Sequence, residues 1–315
     1  MVTHALPKPR SSQFGAGIWR VADPKITLAS VSSMIIGATA AVWAGPVSWG
    51  WLAATVLGIF CIEAAKNASG EIFDWDSGAD QGVRDDERSP FSGGKHVLVD
   101  GLLTRGETAL VAGIFYAIAI AFGLAIVIGR EPGVLYLGML GVGLAFFYHA
   151  PPFKLAYRGL GELAVAIAYG PVIATGTYMV QRGTIDMPVF LASLPFAIAT
   201  AAFLWINEFP DARADAAAGK RTLVVRLGRE RAARVFPAII AAAYLGVVLL
   251  PFAGLPFSTW LGLIGLPHGV AAARRLVHAP ETTKEIVPAQ AWTLLSFVLM
   301  AVGLGAGFII AALWR

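Results

Sequence analysis

Two acidic strings in this 315-residue sequence have the residue types of a hard-metal site. The first is Asn67-Ala-Ser-Gly-Glu71-Ile-Phe-Asp74-Trp-Asp76-Ser-Gly-Ala-Asp80, and the second is Asn207-Glu208-Phe-Pro-Asp211-Ala-Arg-Ala-Asp215. Residues three or four apart share one face of a helix. Asn207, Asp211 and Asp215 therefore make one stripe of oxygen donors, and Asn67, Glu71 and Asp74 make another. Oxygen donors without clustered Cys or His suit Mg²⁺, which completes an octahedral shell with water and substrate phosphate. Two facing stripes can hold a Mg²⁺-diphosphate between them. Arg84 and Lys95 follow the first string, and Lys220 and Arg221 follow the second, at places where they can complement phosphate charge. Any one of these carboxylates reads equally well as a solvated loop charge. Solvation does not explain why the Asn-to-carboxylate spacing occurs twice.

The elements that carry the strings are membrane helices. Hydrophobic residues make up 57% of the chain and charged residues only 14%, against about a quarter charged in soluble domains. The mean hydropathy is +0.69. A water-soluble enzyme is excluded. Apolar runs predict nine spans, at 26–44, 47–73, 107–128, 132–150, 160–180, 188–209, 232–252, 257–273 and 288–312, each near the length needed to cross a bilayer. The expected fold is all-α, a polytopic membrane bundle of nine transmembrane helices around a central cavity, in a single domain over 1–315 with 1–25 as an N-terminal segment. Of the 24 Lys and Arg, 20 fall on one side of that arrangement. The opposite connections hold Arg130, Arg182 and Arg315, and Lys66 lies within the second span. The excess of positive charge predicts a cytoplasmic N-terminus, cytoplasmic 74–105 and 210–231 loops, and Arg315 outside. It also accounts for the net charge of +4 without a nucleic-acid partner. Charged residues within the first 25 leave no expected signal peptide. Cys61 is the only cysteine and the five histidines lack ligand spacing, so an intrachain disulfide is excluded and no structural zinc is expected.

These motifs resemble the UbiA superfamily of intramembrane prenyltransferases, over nearly the whole chain. Asn207-Glu208-x-x-Asp211-x-x-x-Asp215 is similar to that family's second Asp-rich motif, and Gly219-Lys220-Arg221-Thr222-Leu223 to the segment that follows it in quinone-pathway members. In the first motif Ala68 stands at the second position, Glu71 where Asp is usual, and Trp75 at the last. An alternative register aligns Phe73-Asp74-x-x-x-Gly78-x-Asp80 with a glycine-containing version of the motif. Asn67, Glu71, Asp74 and Asp80 are thus all candidate ligands. The Asn67/Glu71/Asp74 register is preferred because it repeats the Asn207-to-Asp211 spacing. Gly159-Leu-Gly-Glu162 and Gly170-Pro-Val-Ile-Ala-Thr-Gly-Thr-Tyr178-Met-Val-Gln181 are similar to the 1,4-dihydroxy-2-naphthoate branch, as is Tyr148-His-Ala-Pro-Pro-Phe-Lys154.

The resemblance implies an isoprenyl diphosphate and an aromatic acceptor as substrates, Mg²⁺ as cofactor, and menaquinone biosynthesis as the setting. Metal held by the carboxylates would neutralise the leaving diphosphate and favour ionisation of the allylic C–O bond, with Asp74, Asp211, Asp215 and Lys220 as catalytic groups. Asn67, Asn207, Arg84, Lys95 and Arg221 would contact substrate, and Tyr148 and Lys154 would border the acceptor. Other acceptors (4-hydroxybenzoate, homogentisate, a chlorin, glycerol phosphate) would keep both motifs, as would a terpene cyclase of the same superfamily. A secondary transporter would place its acids nearer the bilayer midplane than twice at one face.

Overall fold

A computed structural model describes residues 10–92 and 94–314. Among them every regular element is helical. Arg315, and the part of the N-terminal segment before Arg10, lie outside the described residues. In chain order the helices are α1 (Arg10–Ala22), α2 (Pro24–Ala44), α3 (Trp49–Ser77), α4 (Arg105–Gly129), α5 (Val134–Phe147), α6 (Gly161–Ile167), α7 (Ile173–Arg182), α8 (Met187–Ala217), α9 (Leu223–Leu227), α10 (Arg229–Leu249), α11 (Leu266–His278) and α12 (Thr283–Leu313). A π turn, Ala168–Val172, joins α6 to α7 in one continuous rod.

Two of the nine expected spans are not single long apolar helices. Seven helices are long and apolar enough to cross a membrane: Thr27–Ala44 within α2, α3, α4, the Gly161–Arg182 rod, α8, α10 and α12. The predicted fourth span is a 14-residue helix, α5, which rises only about 21 Å. It ends ahead of Pro151 and Pro152, where the chain cannot continue a helix. The predicted eighth span is broken in two. Pro256 precedes a 3-10 segment, Phe257–Gly265, and α11 then starts afresh with Pro267 in its first turn. Proline lacks the N–H that would carry a helix through either point.

Packing separates a protein-facing interior from a lipid-facing belt. Phe196, Phe209, Phe236, Phe297 and Phe308 are fully buried, where α8 packs against α10 and α12. On the opposite flank Ile128 is 85% exposed and Tyr136 73%, as suits faces whose solvent is hydrocarbon. Helix ends are set by local chemistry. Thr104 and Glu107 form a reciprocal capping box at the start of α4, with Glu107 N–H donating to Thr104 Oγ1 at 3.2 Å and Thr104 N–H to Glu107 Oε2 at 2.8 Å. α3 stops at Gly78, whose φ of 82° is a left-handed cap that glycine adopts without penalty. That turn redirects the chain, and Asp80 becomes a buried residue beside the end of α3.

Candidate active site

α3 and α8 each deliver an acidic string to the same mouth of the bundle. Asn207, Asp211 and Asp215 all lie on α8, and Asn67, Glu71 and Asp74 all lie on α3. All six line one cavity of about 790 Å³, together with Lys95, Tyr148 and Lys220. Lys220 joins the two strings. Its Nζ lies 3.7 Å from Asp74 Oδ2 and 3.4 Å from Asp215 Oδ1. Burial works against the ammonium, but Asp215 and Asp74 override it and keep Lys220 charged well above the ordinary lysine range. Tyr157 donates to Asp74 Oδ1 at 2.7 Å, and His149 Nε2 stands 3.5 Å from Asp74 Oδ2. Asp74 is thus fixed from three sides.

Glu71 is engaged differently from the other acids. The backbone N–H of Lys95 donates to its Oε1, and that of Val97 donates to Oε2 at 2.8 Å. Both oxygens are spent on holding the 94–97 loop against α3. Gly94 makes that approach possible. Its φ is 67°, and a Cβ there would lie 2.8 Å from Glu71 Oε1 and 2.9 Å from Asp80 Oδ1, closer than side chains tolerate. The loop also carries Lys95, whose Nζ donates to Asp23 Oδ2 at 2.6 Å. Asp80 Oδ2 is buried and has no hydrogen-bond partner. Burial, followed by the charges of Asp74 and Glu71, pushes the Asp80 carboxyl up to about 9. Asn67 donates to Val21 O at 2.9 Å, tying α3 to the end of α1, while Asn207 Oδ1 is buried without a partner.

Other predicted residues stand apart from the cavity wall. Arg84 and Arg221 are exposed, and Arg221 serves through its backbone, donating to Tyr157 O at 3.0 Å. Lys154 lies 5.3 Å over the Tyr157 ring and does not line the cavity. Asp76 points outward into a two-pronged ion pair with Arg105, at 3.0 and 2.7 Å. Sequence reasoning missed Tyr157 and His149. His149 sits in the quoted Tyr148–Lys154 string, but nothing in the spacing aimed it at Asp74, and Tyr157 reaches Asp74 only because a 3-10 turn, Leu155–Arg158, brings it back.

The donor set fits a hard cation that shares its shell with water and phosphate. The donors are carboxylate and amide oxygens; on the cavity wall Asn207 Oδ1 is buried with no hydrogen-bond partner, and so is Asp80 Oδ2, which stands off that wall. Among the described residues no three His, Cys, Asp or Glu side chains converge closely enough to hold an ion by themselves. Below the mouth the cavity is mostly apolar, walled by side chains such as Ile59, Ile62, Ile120, Leu124 and Val127.

The model of the UbiA prenyltransferase family matches residues 30–295. The chain belongs to that family. It is an integral membrane prenyltransferase, all-helical as the family resemblance implied. It is 28% identical over 304 residues to a 1,4-dihydroxy-2-naphthoate octaprenyltransferase of Bacillus subtilis, with 94% of each chain covered. It is 30% identical over 227 residues to a 2-carboxy-1,4-naphthoquinone phytyltransferase of Synechocystis, covering 70% of this chain and 69% of the relative. The resemblance to the naphthoate branch is borne out by these relatives. In fold the prenyltransferase matches a UbiA homologue from Archaeoglobus fulgidus bound to GPP and Mg²⁺, with a TM-score of 0.61 at 16% identity, covering 91% of this chain and 99% of the other.

Proposed function

We infer that this prenyltransferase moves an isoprenyl group from a polyprenyl diphosphate to an aromatic acceptor, 1,4-dihydroxy-2-naphthoate, in menaquinone biosynthesis, with Mg²⁺ as its cofactor. The observation that carries the reading is Lys220, set between Asp74 and Asp215 where the two acidic strings meet at the mouth of an apolar cavity. Names and bound ligands of the relatives support the same assignment.

Asp74, Asp80, Asn207, Asp211 and Asp215 would hold Mg²⁺, which supplies charge neutralisation of the departing diphosphate. Lys220 adds a positive charge that needs no reorganisation, since its carboxylate partners already fix it. Tyr157 keeps one oxygen of Asp74 occupied and leaves the other turned toward Lys220 and His149. Glu71 holds the loop that presents Lys95 at the cavity edge. The apolar walls below accept the isoprenoid tail and exclude water, which would otherwise capture the developing allylic cation. The excess of positive charge on the loops supports our reading that the mouth faces the cytoplasm, in the plasma membrane, with nine crossings and the C-terminus outside.

The test uses purified protein with Mg²⁺, labelled geranylgeranyl diphosphate and a panel of acceptors. Prenylated naphthoate is expected. Exclusive prenylation of 4-hydroxybenzoate, homogentisate, a chlorin or glycerol phosphate would reassign the acceptor, a cyclised hydrocarbon would indicate a cyclase, and absence of turnover would overturn the reading.

A further inference from the structure

Two turns deeper in the cavity than the acidic mouth, an otherwise apolar wall carries charge. Glu63 and Lys66 line the cavity from α3, and Tyr169 lines it from the π turn between α6 and α7. At 1.5 Å per residue the Lys66 Cα stands about 12 Å from that of Asp74, and the Glu63 Cα about 16 Å. Glu63 is 5% exposed. Ser30 of α2 donates to its Oε1, the Tyr169 and Thr27 hydroxyls also face the carboxyl, and Oε2 is buried with no aligned hydrogen-bond partner. Lys66 Nζ lies 3.4 Å from Tyr169 Oη and 5.9 Å from the centre of that ring. An ammonium has three N–H donors, and among the described residues only Tyr169 takes one. π turns recur at functional sites, and this one presents Tyr169 to the cavity.

Packing does not require these groups. Ionisable residues inside a membrane protein are costly and mark pathways or ligand sites, and a buried ion pair is often replaceable by apolar residues of similar volume with no loss of stability. The cations at the mouth are otherwise engaged, Lys220 with Asp74 and Asp215 and Lys95 with Asp23. Lys66 is the cation that faces the deeper cavity, next to a carboxylate oxygen with unused accepting capacity.

We propose that Lys66 and Glu63 dock the acceptor and select an aromatic ring that carries a carboxylate beside a hydroxyl. The Lys66 ammonium takes the carboxylate, and Glu63 Oε2 accepts the hydrogen bond of the hydroxyl. The ring then lies in the two turns between Lys66 and the diphosphate at Asp74, with the isoprenoid tail along the apolar walls. This rests on the reading that the acceptor is aromatic, and it names the substituents by which the site would recognise that acceptor.

Full-length protein in lipid nanodiscs, with Mg²⁺ and geranylgeranyl diphosphate, is assayed against 1,4-dihydroxy-2-naphthoate and against 1,4-naphthalenediol, the same ring without the carboxylate. Lys66→Met is expected to raise KM for the naphthoate about 10- to 100-fold, the value of a charged hydrogen bond. KM for the diol and for the diphosphate should stay within about threefold, and Lys66→Arg should recover most of the loss. Lys66→Gln serves if Lys66→Met does not fold. An unchanged naphthoate KM, equal losses for the two acceptors, or a rise in the diphosphate KM instead would overturn the assignment. A second measurement separates this from the function itself: quenching of tryptophan fluorescence by 1-hydroxy-2-naphthoate without diphosphate. If the wild type prenylates no aromatic acid, the functional reading fails, and binding alone then judges the site. Binding weakened by Lys66→Met sustains it. Binding indifferent to Lys66, or no binding, rejects it.

Discussion

Replacing Glu71 by glutamine separates a metal ligand from a loop anchor. Glu71 spends both carboxylate oxygens on the backbone N–H groups of Lys95 and Val97. A glutamine retains one acceptor and turns an NH₂ group toward the second N–H, which is then buried without a partner. An unsatisfied buried donor costs about 1–3 kcal/mol, and the surviving bond loses its charge assistance, for a total of roughly 2–4 kcal/mol. Detachment of the loop should therefore become about 30- to 1000-fold more favourable, since each 1.4 kcal/mol is a factor of ten. Peptides covering residues 92–98 are expected to exchange their amide hydrogens faster by at least the lower factor. KM for the diphosphate should rise as Lys95 leaves its place, while the Mg²⁺ concentration for half-maximal rate stays within about twofold of wild type. Hydrogen-exchange mass spectrometry with Mg²⁺-dependent kinetics reads all three quantities. Unchanged exchange at 92–98, joined to a tenfold weaker Mg²⁺ response, would refute the reasoning and restore Glu71 as a ligand.

Asp211→Ala and Asp215→Ala should each lower Mg²⁺-dependent turnover on the order of 10³-fold without unfolding the protein, since each removes a group proposed to hold the metal at the leaving group; near-normal rates in either variant would make the α8 stripe structural. Glu87 ties the loop after α3 to α8 through Arg213, at 2.7 and 2.5 Å, and those bonds hold its carboxyl down to about 2 from 4.5. A lowered folded-state pKa stabilises the fold above the unfolded value, and the effect is lost as pH falls. The difference in melting temperature between wild type and Glu87→Gln should therefore be constant from pH 5 to 7 and shrink toward pH 3; a gap that widens in acid contradicts this. Cysteines placed at Ser77, Ala217 and the C-terminus should label from the cytoplasm, the cytoplasm and the outside respectively, and labelling of all three from one side would remove the nine-crossing topology.

Hydropathy alone determined that this is a helical membrane protein, because a helix in hydrocarbon satisfies its own backbone and must show apolar side chains to lipid. The α8 stripe was also legible, since Asn207, Asp211 and Asp215 fall within one uninterrupted helix and helical periodicity is a local property. The same extrapolation failed past Ser77, where the left-handed turn at Gly78 ends α3 and brings Asp80 back under Glu71 and Asp74. Proline positions were visible, but not that they would shorten the fourth predicted span and split the eighth. The partners of each charge were decided by tertiary structure alone. Sequence proximity put Arg84, Lys95, Lys220 and Arg221 beside the acids without telling which of them reaches both strings; that one is Lys220, and the groups that help it fix Asp74 are Tyr157 and His149. Glu71 reads as a ligand by spacing and becomes an anchor only when the distant 94–97 loop folds onto it. Such contacts join residues tens of positions apart through the packing of separate helices, and no periodicity within a single segment encodes them.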